Sequence, residues 1–263
     1  MIPYTANLRV GFQLALAYRR AAAVWVVGEL ALLVAFYFLW RAVFLSVPAG
    51  SFADRDFAAF YLYLLTARLA ARFTGGPAWG FFAQRVRVGT VVYDLVQPVE
   101  LEYALLARWL GQKAGQLVMA LPAYATAAFV SGAWSAGEWR LGWFFLSLVV
   151  GFACAYFFEF LMSLSAFYTS AQQGINEAKA LVVALLSGAF FPIDLLPDRY
   201  ALLASLLPFQ AFIYLPARML QPSMPESEIF RGLAVQLFWL LVLAASSRFL
   251  LGRVRQRFNV QGG

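Results

Sequence analysis

The sequence predicts an all-α, polytopic membrane protein: six transmembrane helices, an N-terminal amphipathic interface helix, a polar cytoplasmic segment and a re-entrant outer hairpin. Three observations lead there. Of the 263 residues 63% are apolar and only 13% charged, whereas a soluble globule carries about a quarter charged residues. Mean hydropathy is +0.73. Apolar runs recur along the whole chain, and the arginines gather at their ends, where they set membrane topology. That placement accounts for the net charge of +7 without nucleic acid as a partner.

Residues 1–20 hold no spanning run. Arg9, Gln13 and Arg20 share one helical face and Leu8, Phe12 and Leu16 the opposite one, the pattern of a helix lying in the interface. Arg19 and Arg20 precede Ala21–Trp40, a run too long for a signal core, so it reads as the first, uncleaved span. The second is Phe57–Arg72, with Asp54 and Asp56 as carboxylates suited to its amino end. The third is about Ala114–Val130 and the fourth Leu141–Ala166. The polar run Thr169–Lys179 precedes the fifth, Ala180–Phe191, and Gly232–Leu251 is the sixth. Each has, or borrows from its flanks, the roughly 20 residues a bilayer core demands.

Residues 200–216 could tempt a seventh span. Pro208 interrupts them, and Pro192, Pro197 and Pro216 bracket them. With the amino terminus inside, six spans return Arg253, Arg255 and Arg257 to the cytoplasm. That arrangement leaves 12 Lys and Arg inside and 6 outside, with Arg68 and Arg248 within spans, as the positive-inside rule favours. Residues 192–222 therefore read as a re-entrant outer hairpin, its backbone buried by protein or reached by water. Gly188 and Pro192 predict a break at the outward end of the fifth span. No repeat or second domain is visible, so 1–263 is one transmembrane unit.

The inventory excludes further classes. There is no His, and Cys154 is the sole cysteine. An intrachain disulfide is impossible and a Cys/His metal site has no ligands. No metal site is expected.

The densest polar stretch between spans lies within residues 80–113. At helical spacing Gln84, Arg87, Thr90, Asp94 and Gln97 fall on one face and Phe82, Val88, Val92 and Leu95 on the other. Pro98 can open a new helix, with Glu100 and Glu102 near its positive end. Arg87-Val88-Gly89 followed by Leu95-Val96-Gln97-Pro98-Val99 resembles the "I-R-x-G…LL-x-P-(V/L)" signature of ABC-2 type transporter permeases. Residues 39–44, LWRAVF, resemble that family's exit from its first span. Ala166-Phe167-Tyr168 with Gly174-Ile175 resembles its link between spans four and five. Residues 186–194, LSGAFFPID, continuing through Leu207-Pro208-Phe209 to Tyr214-Leu215-Pro216, look like its outer hairpin. Tyr168 departs from the commoner Trp, and Gln97 from a frequent basic residue.

The resemblance implies a membrane subunit of an ABC exporter in a bacterial cytoplasmic (inner) membrane, with both termini cytoplasmic. It implies cytoplasmic ATPase subunits docked on a coupling helix that involves Gln84, Arg85, Arg87, Gly89, Asp94, Gln97 and Pro98. It also implies a second permease chain, identical or related. The hairpin positions it marks are Gly188, Pro192, Pro197, Pro208, Phe209 and Pro216. No cofactor is expected on this chain. The sequence holds no Gly-x-x-x-x-Gly-Lys-Ser/Thr loop, so ATP and Mg belong to the partner and the chain is not itself an enzyme. The competing readings are a membrane-embedded lipid-modifying enzyme and a channel or secondary transporter. The first lacks a cluster of acid–base residues at one membrane face, and the second lacks inverted-repeat symmetry.

Three ionisable groups fall inside the predicted spans. Counted at 1.5 Å per residue from the cytoplasmic end, Glu29 lies about 12 Å deep, Arg68 about 6 Å and Glu159 about 10 Å. A charge at such depth costs several kcal/mol unless it pairs or meets water. Glu29 or Glu159, or both, are therefore expected to turn inward onto Arg68 or a water-filled vestibule.

Overall fold

The computed structural model describes residues 2–46, 56–76, 80–91, 93, 100–133, 140–169, 171–221 and 224–261. Among them there is helix but no strand. The helices are α1 Ile2–Ala17, α2 Arg19–Ser46, α3 Phe57–Thr74, α4 Phe81–Val88, α5 Leu101–Val130, α6 Leu141–Ser163, α7 Gln172–Leu186, α8 Asp198–Leu206, α9 Tyr214–Met219 and α10 Glu226–Gln261. Among the described residues three segments are long and apolar enough to cross a membrane: Arg20–Ser46, Leu141–Phe167 and Glu226–Gln256.

Local sequence explains most boundaries. Asp56 caps α3, its carboxylate accepting from the Ala58 amide at 3.1 Å, which ties up one of the orphan amides of a helix start. Asp54 lies outside the described residues. Gly80 and Gly89, both left-handed at φ 76° and 79°, delimit α4. In α5 Pro122 sits mid-helix, where it has no amide to offer the carbonyl one turn earlier; separately, the Thr126 hydroxyl donates to Pro122 O at 2.8 Å.

The centre is built from α3 and α6. Along α3, Phe60 through Ala67 are all buried, and α6 buries Leu148, Phe152, Tyr156 and Phe160. A helix hydrophobic all round belongs inside. By contrast α2 and α10 turn large apolar side chains outward, among them Trp25, Val27, Phe38 and Leu45 on α2 and Phe238 and Leu241 on α10. An apolar surface that broad seeks lipid or another protein.

α1 covers most of the residues expected as the interface helix. It lies along α5, and the face it buries is Gly11 and Ala15, while Leu8 and Leu16 remain exposed. A Cβ on Gly11 would stand 1.9 Å from Arg108 O, and one on Gly111 1.9 Å from Leu8 O. Small residues let the two backbones meet, as between helices in lipid. Close backbone approach, not side-chain hydrophobicity, selects the contact with α5, and it leaves the Leu8 and Leu16 side of α1 uncovered.

Two spans also differ in extent. Residues 101–113, predicted as part of the polar segment before the third span, are the first turns of α5. At about 45 Å that helix outruns a hydrocarbon core of roughly 30 Å. The fifth begins at Gln172 rather than Ala180, so its polar run is helical. The helix then breaks: α7 ends at Leu186, and Gly188 is left-handed at φ 80°.

One end of the bundle gathers the end of α3, α4, the start of α5, the end of α6 and the end of α10. There Phe82 meets Phe160 and Phe167 ring to ring, Lys113 Nζ donates to Arg72 O, and Arg248 pairs with Glu100. At the opposite end Arg140 donates to Met224 O, and the Tyr63 hydroxyl donates to Gly188 O at 2.7 Å.

Candidate functional site

Glu29 on α2 receives two hydrogen bonds from Arg68 on α3, Nε to Oε1 at 3.0 Å and a terminal nitrogen to Oε2 at 3.2 Å. The Tyr124 hydroxyl of α5 donates to the same Oε1 at 3.1 Å. The guanidinium also lies 6.0 Å from the Phe36 ring. Two-point geometry of this kind is among the strongest that a carboxylate can accept. One ionic knot thus ties three helices together. Tyr61 reinforces it, its hydroxyl donating to Leu33 O at 3.0 Å.

Glu159 on α6 takes a different partner. It accepts from Lys179 on α7, both side chains nearly buried. Of the two glutamates, one or both expected to turn inward, Glu29 is the one that reaches Arg68, and Glu159 turns inward onto Lys179. The reason is the earlier start of α7, which carries Lys179 two turns into the helix instead of leaving it in a cytoplasmic loop. Gln173 and Glu177, hydrogen-bonded at 3.1 Å across one turn, are the spacing signal that could have placed it.

Arg68, Glu159 and Lys179 share a cavity of about 320 Å³ between α3, α6 and α7. Asn176 and Thr74 add polar groups, and the apolar wall combines alanines with Val183, Phe190, Phe212 and Ile213.

The predicted outer hairpin is a run of short helices. Pro192 is extended ahead of a 3₁₀ turn, Ile193–Leu195, and Pro197 is the residue before α8. Pro208 opens a second 3₁₀ turn, Pro208–Ala211, and Pro216 sits in the first turn of α9. All of Pro208–Ile213 is buried. Phe209 sits edge-on to Phe158 at 5.4 Å. Gln236 of α10 holds this irregular backbone. Its Nε2 donates to Ala211 O at 2.8 Å and Ser147 O at 3.1 Å, its Oε1 accepts from the Ser147 hydroxyl at 2.9 Å, and Cys154 Sγ donates to its carbonyl at 3.3 Å.

On the surface, Gln84 and Arg87 of α4 are exposed, and Arg85 stacks over the Phe81 ring at 3.9 Å. Gln84, Arg85, Val88, Thr90 and Tyr93 frame an open pocket of about 410 Å³.

The family model described as ABC-2 family transporter protein matches residues 30–262. The chain belongs to this family. A comparison with curated proteins finds no match.

For an ABC-2 permease the surface helix needs one correction. A single helix from Gln84 to Gln97 does not form, because Gly89 ends α4 in the left-handed region, where helix cannot continue. Val88, assigned to the apolar face, is exposed, and Phe82 is the side chain that anchors α4. Asp94, Gln97 and Pro98 lie outside the described residues. Sequence reasoning missed Tyr124, Lys179, Ser147 and Gln236. Tyr124, Ser147 and Gln236 are polar residues in apolar runs, which is itself a signal for a buried partner, whereas Lys179 closes a polar run. For all four the identity of the partner is a tertiary matter.

Proposed function

We propose that this chain is the six-span permease subunit of an ATP-driven exporter in a bacterial inner membrane. On this reading α2, α3, α5, α6, α7 and α10 cross the bilayer with both termini in the cytoplasm. Separate ATPase subunits carry ATP and Mg, and a second permease chain completes the complex. The cargo is amphipathic or hydrophobic and moves outward as the two chains alternate between conformations. The observation that carries this reading is the extent of the family match, which runs from within α2 to the end of α10. Two features support it. The sequence has no phosphate-cradling loop of its own, and α4 offers Gln84 and Arg87 at the end of the bundle where Glu100, Arg248 and Arg253 are also exposed.

Inside-out vesicles carrying the chain with its ATPase test the direction. ATP should drive accumulation of an amphipathic fluorescent dye inside them, and vanadate should abolish it. ATP-driven depletion of the dye would mean import and would overturn the reading.

A further inference from the structure

The cavity between α3, α6 and α7 holds a buried polar group that none of the described residues satisfies. Ser187, at the carboxyl end of α7, is fully buried, its hydroxyl has no hydrogen-bond partner, and it lines the cavity. A hydroxyl shut away without a partner is destabilising unless water or a ligand meets it. Lys179 and Glu159 stand toward the opposite end. Eight residues of helix separate Lys179 from Ser187, about 12 Å. Ala71, Ala155, Ala180, Val183 and Ala184 on three helices supply apolar wall between them, and Phe190, Phe212 and Ile213 add larger apolar side chains.

Charge narrows the ligand. Lys179 is neutralised by Glu159 and Arg68 by Glu29. A ligand with one net charge would have to break the Glu159–Lys179 pair to enter, leaving an uncompensated buried ion. A neutral group that both donates and accepts can instead bridge the pair, accepting from Lys179 and donating to Glu159. We infer that this cavity binds an elongated, uncharged molecule with a hydrogen-bonding group at each end and an apolar middle. One end bridges Lys179 and Glu159, and the other meets the Ser187 hydroxyl. The inference deepens the transport reading by naming a ligand class and rests on it only for what binding is for.

The test uses the whole chain in nanodiscs, without ATPase or ATP, as the Cys154→Ser, Ala184→Cys variant. Modification of the introduced thiol by a small methanethiosulfonate reagent is followed in the presence of a ten-carbon α,ω-diol. The ten-carbon mono-alcohol, carboxylate and trimethylammonium are run beside it. The diol should protect at about five- to tenfold lower concentration than the mono-alcohol, the size of one hydrogen bond. Adding Ser187→Ala should close that gap. Equal protection by diol and mono-alcohol, a gap that survives Ser187→Ala, or stronger protection by either ion would each overturn the assignment. Thermal unfolding gives a second measure. Without ligand, Ser187→Ala should raise the midpoint by about 2–4 °C. A fall would mean that the hydroxyl already has a partner inside the protein, and the site would be withdrawn. Because no step needs ATP, failure of dye transport with protection intact would remove the exporter reading and leave the site.

Discussion

Glu29 and Arg68, 39 residues apart in the chain, meet through two hydrogen bonds of 3.0 and 3.2 Å, with Tyr124 closing the same carboxylate. Each side chain is mostly buried, at 12% and 20% exposure. Removing one partner of such a pair strands the other, at about 3–5 kcal/mol. Arg68→Ala should therefore lower the thermal midpoint in detergent sharply, and Glu29→Ala should do the same. The double Glu29→Leu, Arg68→Leu variant should recover most of the loss, since no ion is left behind. If the double variant is as unstable as the sum of the singles, the pair is not the source of the effect.

Gln236 joins α10 to α6 and to the broken backbone at Ala211. Gln236→Leu leaves the Ser147 hydroxyl and the Ala211 carbonyl without their partner, at about 1–3 kcal/mol for each buried group. We expect a destabilised chain in which α9 and the Pro208–Ala211 turn become accessible to protease before the rest. Gly151 makes the same point sterically, because a Cβ there would stand 2.7 Å from Ala211 O. Gly151→Ala should thus weaken the same junction. Uniform proteolysis across the chain in both variants would refute a local role.

Arg87 is exposed on α4, whereas Phe82 anchors that helix in the core. Arg87→Ala should leave the thermal midpoint within about 0.5 kcal/mol of the parent, as surface changes do, yet weaken co-purification of the ATPase or uncouple hydrolysis from transport. Asp94→Ala should behave alike. Unchanged association and transport in both would remove α4 and the residues after it from the docking surface.

The proposed six-span arrangement makes a labelling prediction. In a Cys154→Ser background, Ser223→Cys should react with an impermeant thiol reagent added outside, and Gln261→Cys only from inside. Labelling of Gln261→Cys from outside would mean that residues 200–216 cross the membrane after all.

Class and punctuation were legible from composition and local chemistry. A chain with 63% apolar residues has no soluble solution, and Asp56, Gly188 and Pro208 mark breaks because their backbone or capping preferences act within a few residues. The break at Gly89 is not read from the sequence, where helical periodicity runs on through it. The depth of Glu29 and Arg68 likewise required partners, since burial penalises any lone charge. What only the tertiary structure decided was which partner each charge takes and which face each helix buries. Glu159 meets Lys179 because α7 starts two turns early, and α1 docks by Gly11 because backbone can approach only where side chains are absent. Those outcomes depend on which helices become neighbours and at what register, and one-dimensional periodicity carries neither.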